Sequence, residues 1–204
     1  KEHITQDHNG DFQYQKEQRD YATSYCKTKK LALDVGGNIG FWSKDLAKNF
    51  ERVVAFEPHP ENIACYKKNM EGFTNWELEE VALSNKSQIG ATLFQSPDES
   101  GNVSLNSHGV EYGNSKRTLK KSLIKQLTKD VKLLDDYINK FKYQNIDFLK
   151  VDCQEHEKEI MLGALKLLSE HDSVVCLELP LRNDAEKEYA KDVENILISI
   201  KYFK

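Results

Sequence analysis

A strand that runs straight into a glycine-rich turn and reopens as a helix leaves few folds open, and this chain carries one near its start. Leu31-Ala32-Leu33-Asp34-Val35 is an apolar run of strand length, and Gly36-Gly37-Asn38-Ile39-Gly40 follows with no spacer. Residues 41–50 then place Phe41, Trp42, Leu46 and Phe50 at helical spacing. A second strand over residues 52–57 ends on Glu57. Pro58-His59-Pro60 stops it, with Pro60 where a first-turn proline opens a helix to about Met70. Short apolar strands alternating with helices are the pattern of a parallel sheet wrapped on both faces.

The remainder extends the pattern. Residues 76–83 read as a third strand, and residues 89–95 as a fourth that runs antiparallel to a neighbour. Strands are expected again at 147–152 and 173–179, and helices at 155–168 and 184–200. The fold class is therefore α/β, a doubly wound, Rossmann-like, mostly parallel sheet. Residues 1–204 read as one domain, with 1–30 as an N-terminal extension. Residues 96–130 lose the pattern in Ser, Asn, Gly and Lys, and a stretch this long in a compact domain reads as a substrate-side lid. Sheets of this kind add one or two strands after the last helix, so the chain reads as truncated at its C-terminal strands.

Composition removes several function classes. With 39% hydrophobic and 30% charged residues in 204, a core forms without staples. The net charge of −4 gives no global pull toward nucleic acid or anionic lipid, and no apolar run reaches membrane-spanning length. Cys26, Cys65, Cys153 and Cys176 are dispersed with no CxxC pair, which favours free thiols and a reducing, cytoplasmic setting over disulfides or zinc. Lys116, Arg117, Lys120, Lys121, Lys125, Lys129 and Lys132 form a basic stretch. Leu119, Leu123, Leu127 and Val131 recur within it every fourth residue, so it reads as an amphipathic helix with a solvated cationic face. Its functional alternative is capture of an anionic substrate such as a phosphorylated sugar or RNA.

The chemistry concentrates at the first turn. Backbone N–H groups there meet a ligand closely, and Glu57 at the next strand end can accept from both hydroxyls of a ribose. Asp34 precedes the turn, where it would repel a pyrophosphate. At ~5 Å and an effective dielectric near 20 that repulsion is on the order of 3 kcal/mol. A cationic sulfonium donor reverses the sign. The turn also reads G-G-x-x-G, not the dinucleotide G-x-G-x-x-G.

Three blocks together resemble the FkbM-type family of class I S-adenosylmethionine-dependent methyltransferases. They are Leu33-Asp34-Val35-Gly36-Gly37-Asn38-Ile39-Gly40-Phe41, then Val54-Ala55-Phe56-Glu57-Pro58, and a third that starts at Leu134-Asp135-Asp136-Tyr137. The third continues through Ile146-Asp147-Phe148-Leu149-Lys150-Val151-Asp152 to Glu157 and Gly163-Ala164. The resemblance implies S-adenosyl-L-methionine bound at the carboxyl ends of the strands, and methyl transfer to a hydroxyl of a saccharide or similar small molecule. It implies Asp34, Gly36, Gly37, Asn38 and Gly40 near the methionine half, Glu57 at the ribose, and Val81 and Ala82 near the adenine. The chain departs from the family at Gln154-Glu155, where Glu-Gly is usual, and this puts a charged side chain where the backbone wants an unusual φ.

Methyl transfer to a hydroxyl needs alignment and a base. Asp152, His156 and Glu178, at or just beyond two strand ends, are the candidates. Glu155 and Glu157 read as charges favouring a helix N-terminus. No HxH or HExxH spacing supports a metal. An RNA methyltransferase and a cofactor-binding domain without turnover remain as alternatives. The first is disfavoured because Glu178 stands where a ribose methyltransferase tetrad has its second lysine.

Overall fold

The computed structural model describes residues 14–95, 103–105, 125–141 and 144–202. Along the chain, α1 (Lys16–Ser24) precedes β1 (Leu31–Val35), α2 (Phe41–Asn49), β2 (Arg52–Phe56), α3 (Pro60–Asn69) and β3 (Trp76–Glu79). Then come β4 (Ala82–Leu83), β5 (Gln88–Gln95), β6 (Val103–Ser104), β7 (Lys125–Lys132) and a 3₁₀ turn (Leu134–Tyr137) leading into α4 (Ile138–Phe141). The chain continues with β8 (Ile146–Val151), α5 (Glu157–Leu162), α6 (Leu165–Glu170), β9 (Val174–Leu177) and α7 (Asp184–Tyr202).

The main sheet has the order β3-β2-β1-β8-β9 and every pairing in it is parallel. The winding reverses between β1 and β8, and at such a switch point the loops leaving the strand ends diverge and open a crevice. Alternation along β1 sorts its side chains. Leu31, Leu33 and Val35 join Ile160, Met161, Leu167 and Val193 on one face. Ala32 joins Trp42, Leu46, Phe50, Tyr66 and Phe148 on the other. Trp42 stacks on Phe148 with centroids 6.3 Å apart and planes 9° from parallel. All of β1 and β8 is buried, whereas β9 is half-buried along its length.

A second, four-stranded sheet has the order β4-β7-β5-β6. It is mixed: β5 runs antiparallel to β6 and β7, while β4 and β7 are parallel. Its own small core holds Ala82, Ala91, Leu93 and Val131.

Three expectations are corrected here. Residues 76–83 are not one strand; the chain leaves the main sheet after Glu79 and joins the second sheet at Ala82. Residues 125–132 are a strand, not part of an amphipathic helix. A repeat of four is even, so it also fits the strand period of two, and Leu127 pairs with Leu93 across β5. The expected helix over 155–168 is two helices parted at Gly163, where a Cβ would lie 2.1 Å from the Ser84 carbonyl oxygen. Within the N-terminal extension, α1 docks on α2: Arg19 is buried, bonds Asp45 at 3.0 Å and lies 5.8 Å over the Trp42 ring. Of the expected lid over 96–130, residues 103–105 and 125–130 belong to the second sheet or its edge, and the rest, with most of the basic stretch, lies outside the described residues. No described helix is long and apolar enough to cross a membrane.

Candidate functional site

The turn after β1 is shaped by close approach. Gly36 (φ 78°) and Gly37 both donate to the Phe56 carbonyl at 3.0 Å, which locks the turn to the end of β2. A Cβ on Gly36 would sit 2.0 Å from the Asp152 carbonyl oxygen, so only glycine lets the ends of β1 and β8 meet. Gly37 and Gly40 lie against the Tyr66 ring, with a built Cβ 3.2 and 3.1 Å from it. These two glycines serve packing below the turn and do not line the hollow above it.

That hollow, about 650 Å³ including its open mouth, lies over the carboxyl ends of β1, β2 and β8 and is closed from the other side by the second sheet. Among the expected cofactor residues, Gly36, Asn38, Glu57, Val81 and Ala82 line it.

Glu57 is 4% exposed. Its Oε2 accepts the Asn38 N–H at 2.8 Å, and its Oε1 accepts the His59 N–H at 2.8 Å and the Asn62 amide at 3.3 Å. Burial raises its carboxyl above the ordinary value near 4.5, and the His59 and Asn38 N–H groups oppose that rise. With two lone pairs per carboxyl oxygen, these bonds leave Oε2 one acceptor position toward the hollow.

Asp34 corrects the electrostatic expectation drawn from the sequence. It is fully buried and does not line the hollow, because strand alternation turns it toward α2. There it accepts the Ser43 hydroxyl at 2.6 Å and pairs with Lys150 Nζ at 3.1 Å. Lys150 is its register neighbour on β8 and also donates to the Gly36 carbonyl at 2.8 Å. Burial works to discharge this ammonium, but Asp34 and Asp152 outweigh it and hold the Lys150 pKa above its ordinary value. The charge of Asp34 is thus balanced inside the fold, and the acid that faces a ligand is Asp152, which lines the hollow and lies 3.8 Å from Lys150. Among the described residues the lining holds two acids, Glu57 and Asp152, and no lysine or arginine.

His156 also lines the hollow, with Nε2 3.0 Å from the Ser84 hydroxyl and Nδ1 3.7 Å from Glu159. Burial lowers its pKa, so the ring is neutral near pH 7. Glu178 stands outside the hollow, on the exposed rim one residue past β9. It accepts from the Gln15 amide at 3.5 Å, while the other end of that amide takes the Trp42 indole N–H at 2.8 Å. Burial first, and the Asp152 carboxylate second, raise the Glu178 pKa to about 7. Asp152 and Glu178 are therefore brought together, and His156 is turned away toward Ser84. The described residues hold no group of three His, Cys, Asp or Glu side chains suited to a metal ion.

Sequence reasoning missed several participants. Lys150 could have been found as a cation inside an apolar strand, which demands a buried partner. The Gln154-Glu155 step was not missed: the absent glycine marked it, and both residues have positive φ (54° and 65°), while the place of Gln154 in the lining of the hollow carried no signal. Glu157 is not a solvated helix-end charge: it is 1% exposed, accepting from the Cys153 N–H at 2.8 Å and the Tyr189 hydroxyl at 3.1 Å. Leu93, Ser104 and Leu105 carried no local signal, since only the tertiary fold brings them to the hollow.

A switch-point hollow with an acid at the end of β2 and a glycine turn after β1 defines the α/β class to which class I methyltransferases belong. Residues 34–203 match the family described as Methyltransferase FkbM domain, and the chain belongs to that family. Among solved structures, the methyltransferase FkbM of Methylobacillus flagellatus KT superposes with a TM-score of 0.51 at 17% identity, over 85% of this chain. The present chain spans only 37% of that protein's length. Lower similarity is found to a precorrin-6y C5,15-methyltransferase of Geobacter metallireducens GS-15 (TM-score 0.47, 12% identity, 88% of this chain and 70% of that one). SMU.1697c of Streptococcus mutans, solved in complex with SAH, gives a TM-score of 0.44 at 12% identity over 90% of this chain and 80% of that one. No curated protein matches the sequence.

Proposed function

We propose that the chain is an S-adenosyl-L-methionine-dependent methyltransferase acting on a hydroxyl of a saccharide or related small molecule. One observation carries the donor half of this reading. Among the described residues the hollow is lined by the acids Glu57 and Asp152 and by no lysine or arginine, with the His156 ring kept neutral by burial, which suits a cationic, phosphate-free nucleoside and disfavours a dinucleotide. Family membership supports methyl transfer as the reaction class. When bound, S-adenosylmethionine supplies a methyl group on a positively charged sulfur.

The chain's own residues divide the remaining work. Glu57 holds one ribose hydroxyl through its open Oε2 position, so the acceptance of both hydroxyls expected from the sequence is reduced to one. Gly36 and Asn38 present the turn to the methionine half, and Val81 and Ala82 flank the adenine. Asp34, Gly37 and Gly40 support the turn from below. Asp152 lies closest to the expected reacting end, fixed by Lys150. Asp152 and Glu178, at neighbouring strand ends, take the acceptor's hydroxyl proton, and the rim they share forms the acceptor side. His156 shapes the wall as a neutral ring. A reducing cytoplasmic setting belongs to the same proposal, supported by four free thiols at Cys26, Cys65, Cys153 and Cys176.

Calorimetry with S-adenosylhomocysteine and NAD tests the donor half. Binding of the first alone is expected, and Glu57→Ala is expected to weaken it at least tenfold, the loss of a charge-assisted hydrogen bond to the ribose. Binding of NAD alone would overturn the reading. A panel of hydroxyl acceptors tests the other half, and transfer confined to RNA would replace the small-molecule acceptor.

A further inference from the structure

Only β6 and most of β7 in the second sheet fall where a substrate lid was expected, and the sheet's described residues close on a different part of the hollow. Leu93 on β5 is 2% exposed and lines the hollow from above. The antiparallel register pairs Phe94 with Ser104, so Leu105, the next residue, falls opposite Leu93 and also lines the hollow. Both belong to the apolar underside of this sheet with Ala82, Ala91 and Val131. Ala82 and the adjoining Val81 complete the same wall, and Phe56 faces it from β2. The polar groups are distributed unevenly: Glu57 is central, Asp152 lies toward β8, and Glu178 on the acceptor rim is outside the hollow altogether.

A wall built mainly of hydrocarbon side chains, with Ser104 its polar member among the described residues, discriminates among the pieces of a nucleoside donor. A neutral, flat heteroaromatic ring gains from it, whereas an ammonium, a carboxylate or a sulfonium would be stripped of water there without compensation. With the ribose fixed at Glu57, the base can extend only toward the leucines if the charged half is to reach Asp152.

We infer that the second sheet covers the adenosine half of the donor site, Leu93 and Leu105 clamping the purine, and that it is not the cover of the acceptor side. This rests on the donor reading above. It makes order in the accessory sheet depend on the donor: filling the slot adds a hydrophobic partner to a small core, so strands β5 and β7 open less often once the nucleoside is bound.

The test compares S-adenosylhomocysteine with 5′-methylthioadenosine, which lacks the amino-acid half, by calorimetry on the full chain. Leu105→Ala is the primary variant because Leu105 is only half-buried and its loss leaves Leu93 and the small core in place. Leu93→Ala is the second, with unliganded thermal unfolding recorded for each. Ile89→Ala is the control, since Ile89 lies on β5, is 91% exposed and does not line the hollow. Leu105→Ala is expected to weaken both ligands by about the same factor, about tenfold, while Ile89→Ala changes neither. Amide exchange in β5 and β7 is expected to slow when S-adenosylhomocysteine is added. Unchanged affinities in both leucine variants, or a loss seen with S-adenosylhomocysteine but not with 5′-methylthioadenosine, would overturn the inference and leave the donor reading standing. Wild-type chain that binds neither nucleoside would remove both.

Discussion

Two residues show how charge and backbone shape are managed around the hollow. Glu155 holds φ 65° without being glycine, next to Gln154 at 54°, and its carboxylate meets Arg182 at 3.4 Å on the surface. An exposed ion pair of that length contributes little, while a left-handed non-glycine residue costs on the order of 1 kcal/mol. Glu155→Gly is therefore expected to stabilise the fold by about 0.5–1 kcal/mol, part of the relief being offset by the freer unfolded chain. Urea denaturation measures it. Lys150 behaves in the opposite way. Its removal strands Asp34, which is fully buried, so Lys150→Met is expected to cost about 3–5 kcal/mol. Asp34→Asn combined with Lys150→Met should recover much of that loss, because no fully buried unpaired charge remains and Asp152, the other partner of Lys150, is partly solvated. Equal losses in the single and double variants would show that the pair is not coupled.

These residues also mark the limit of sequence reasoning. The glycine turn, the strand before it and Glu57 were legible because local steric and hydrogen-bonding demands select their residue types. Glu155 was legible as a strained position because a required glycine was missing. Asp34 was assigned to the right turn and the wrong direction. Its neighbour along the sheet, Lys150, is more than a hundred residues away, and sequence proximity to a turn says nothing about which face of the strand an acid takes. Glu157 looked like a helix-end charge for the same reason, and Tyr189, which binds it, sits on a distant helix.

At the scale of elements, the informative feature is where two helices part. Gly163 ends α5, and the carbonyl of Ser84, just past β4, occupies the space a side chain would need, 2.1 Å from the built Cβ. Its N–H bonds Glu159 at 3.0 Å, and its carbonyl takes the Asp135 N–H at 2.9 Å. One residue thus joins α5, the 3₁₀ turn and the second sheet. Gly163→Ala is expected to destabilise by at least 2 kcal/mol although alanine favours helix, since rigid backbone must move. Thermal unfolding checks the sign, and a stabilised variant would refute the packing argument. The periodicity of residues 155–168 had shown the buried face but not this break, because helical spacing continues across it. Leu127 and Val131 failed as helix markers for a related reason: their spacing satisfies both periods, and only pairing with β5 decides between them.

For the molecule as a whole, the acid groups predict how stability varies with pH. Burial holds the Glu157 carboxyl up at about 7 against an ordinary value near 4.5. A raised acid contributes stability fully below its unfolded pKa, and that contribution is lost as pH rises through the folded value. The fold should therefore weaken between pH 5 and pH 8, by up to roughly 3 kcal/mol from this group. Glu157→Gln keeps an acceptor for the Cys153 N–H but has no charge to bury, so its unfolding midpoint should stay flatter over the same range. Asp147 acts at the other end. Hydrogen bonds from Thr28, Lys30 and Asn145 overcome burial and lower its pKa from the ordinary 3.8, so its contribution disappears only as the solution is acidified below that value.

The seam at Gly163 and Ser84 carries a practical corollary for anyone wishing to retailor the protein. The backbone contact there leaves no slack between the end of β4 and the helices that follow β8, so changes to β5 and β7 are made against a fixed edge. Anyone altering these strands to change acceptor choice would first have to carry both leucines across, Leu93 for the small core it completes and Leu105 for the hollow it lines.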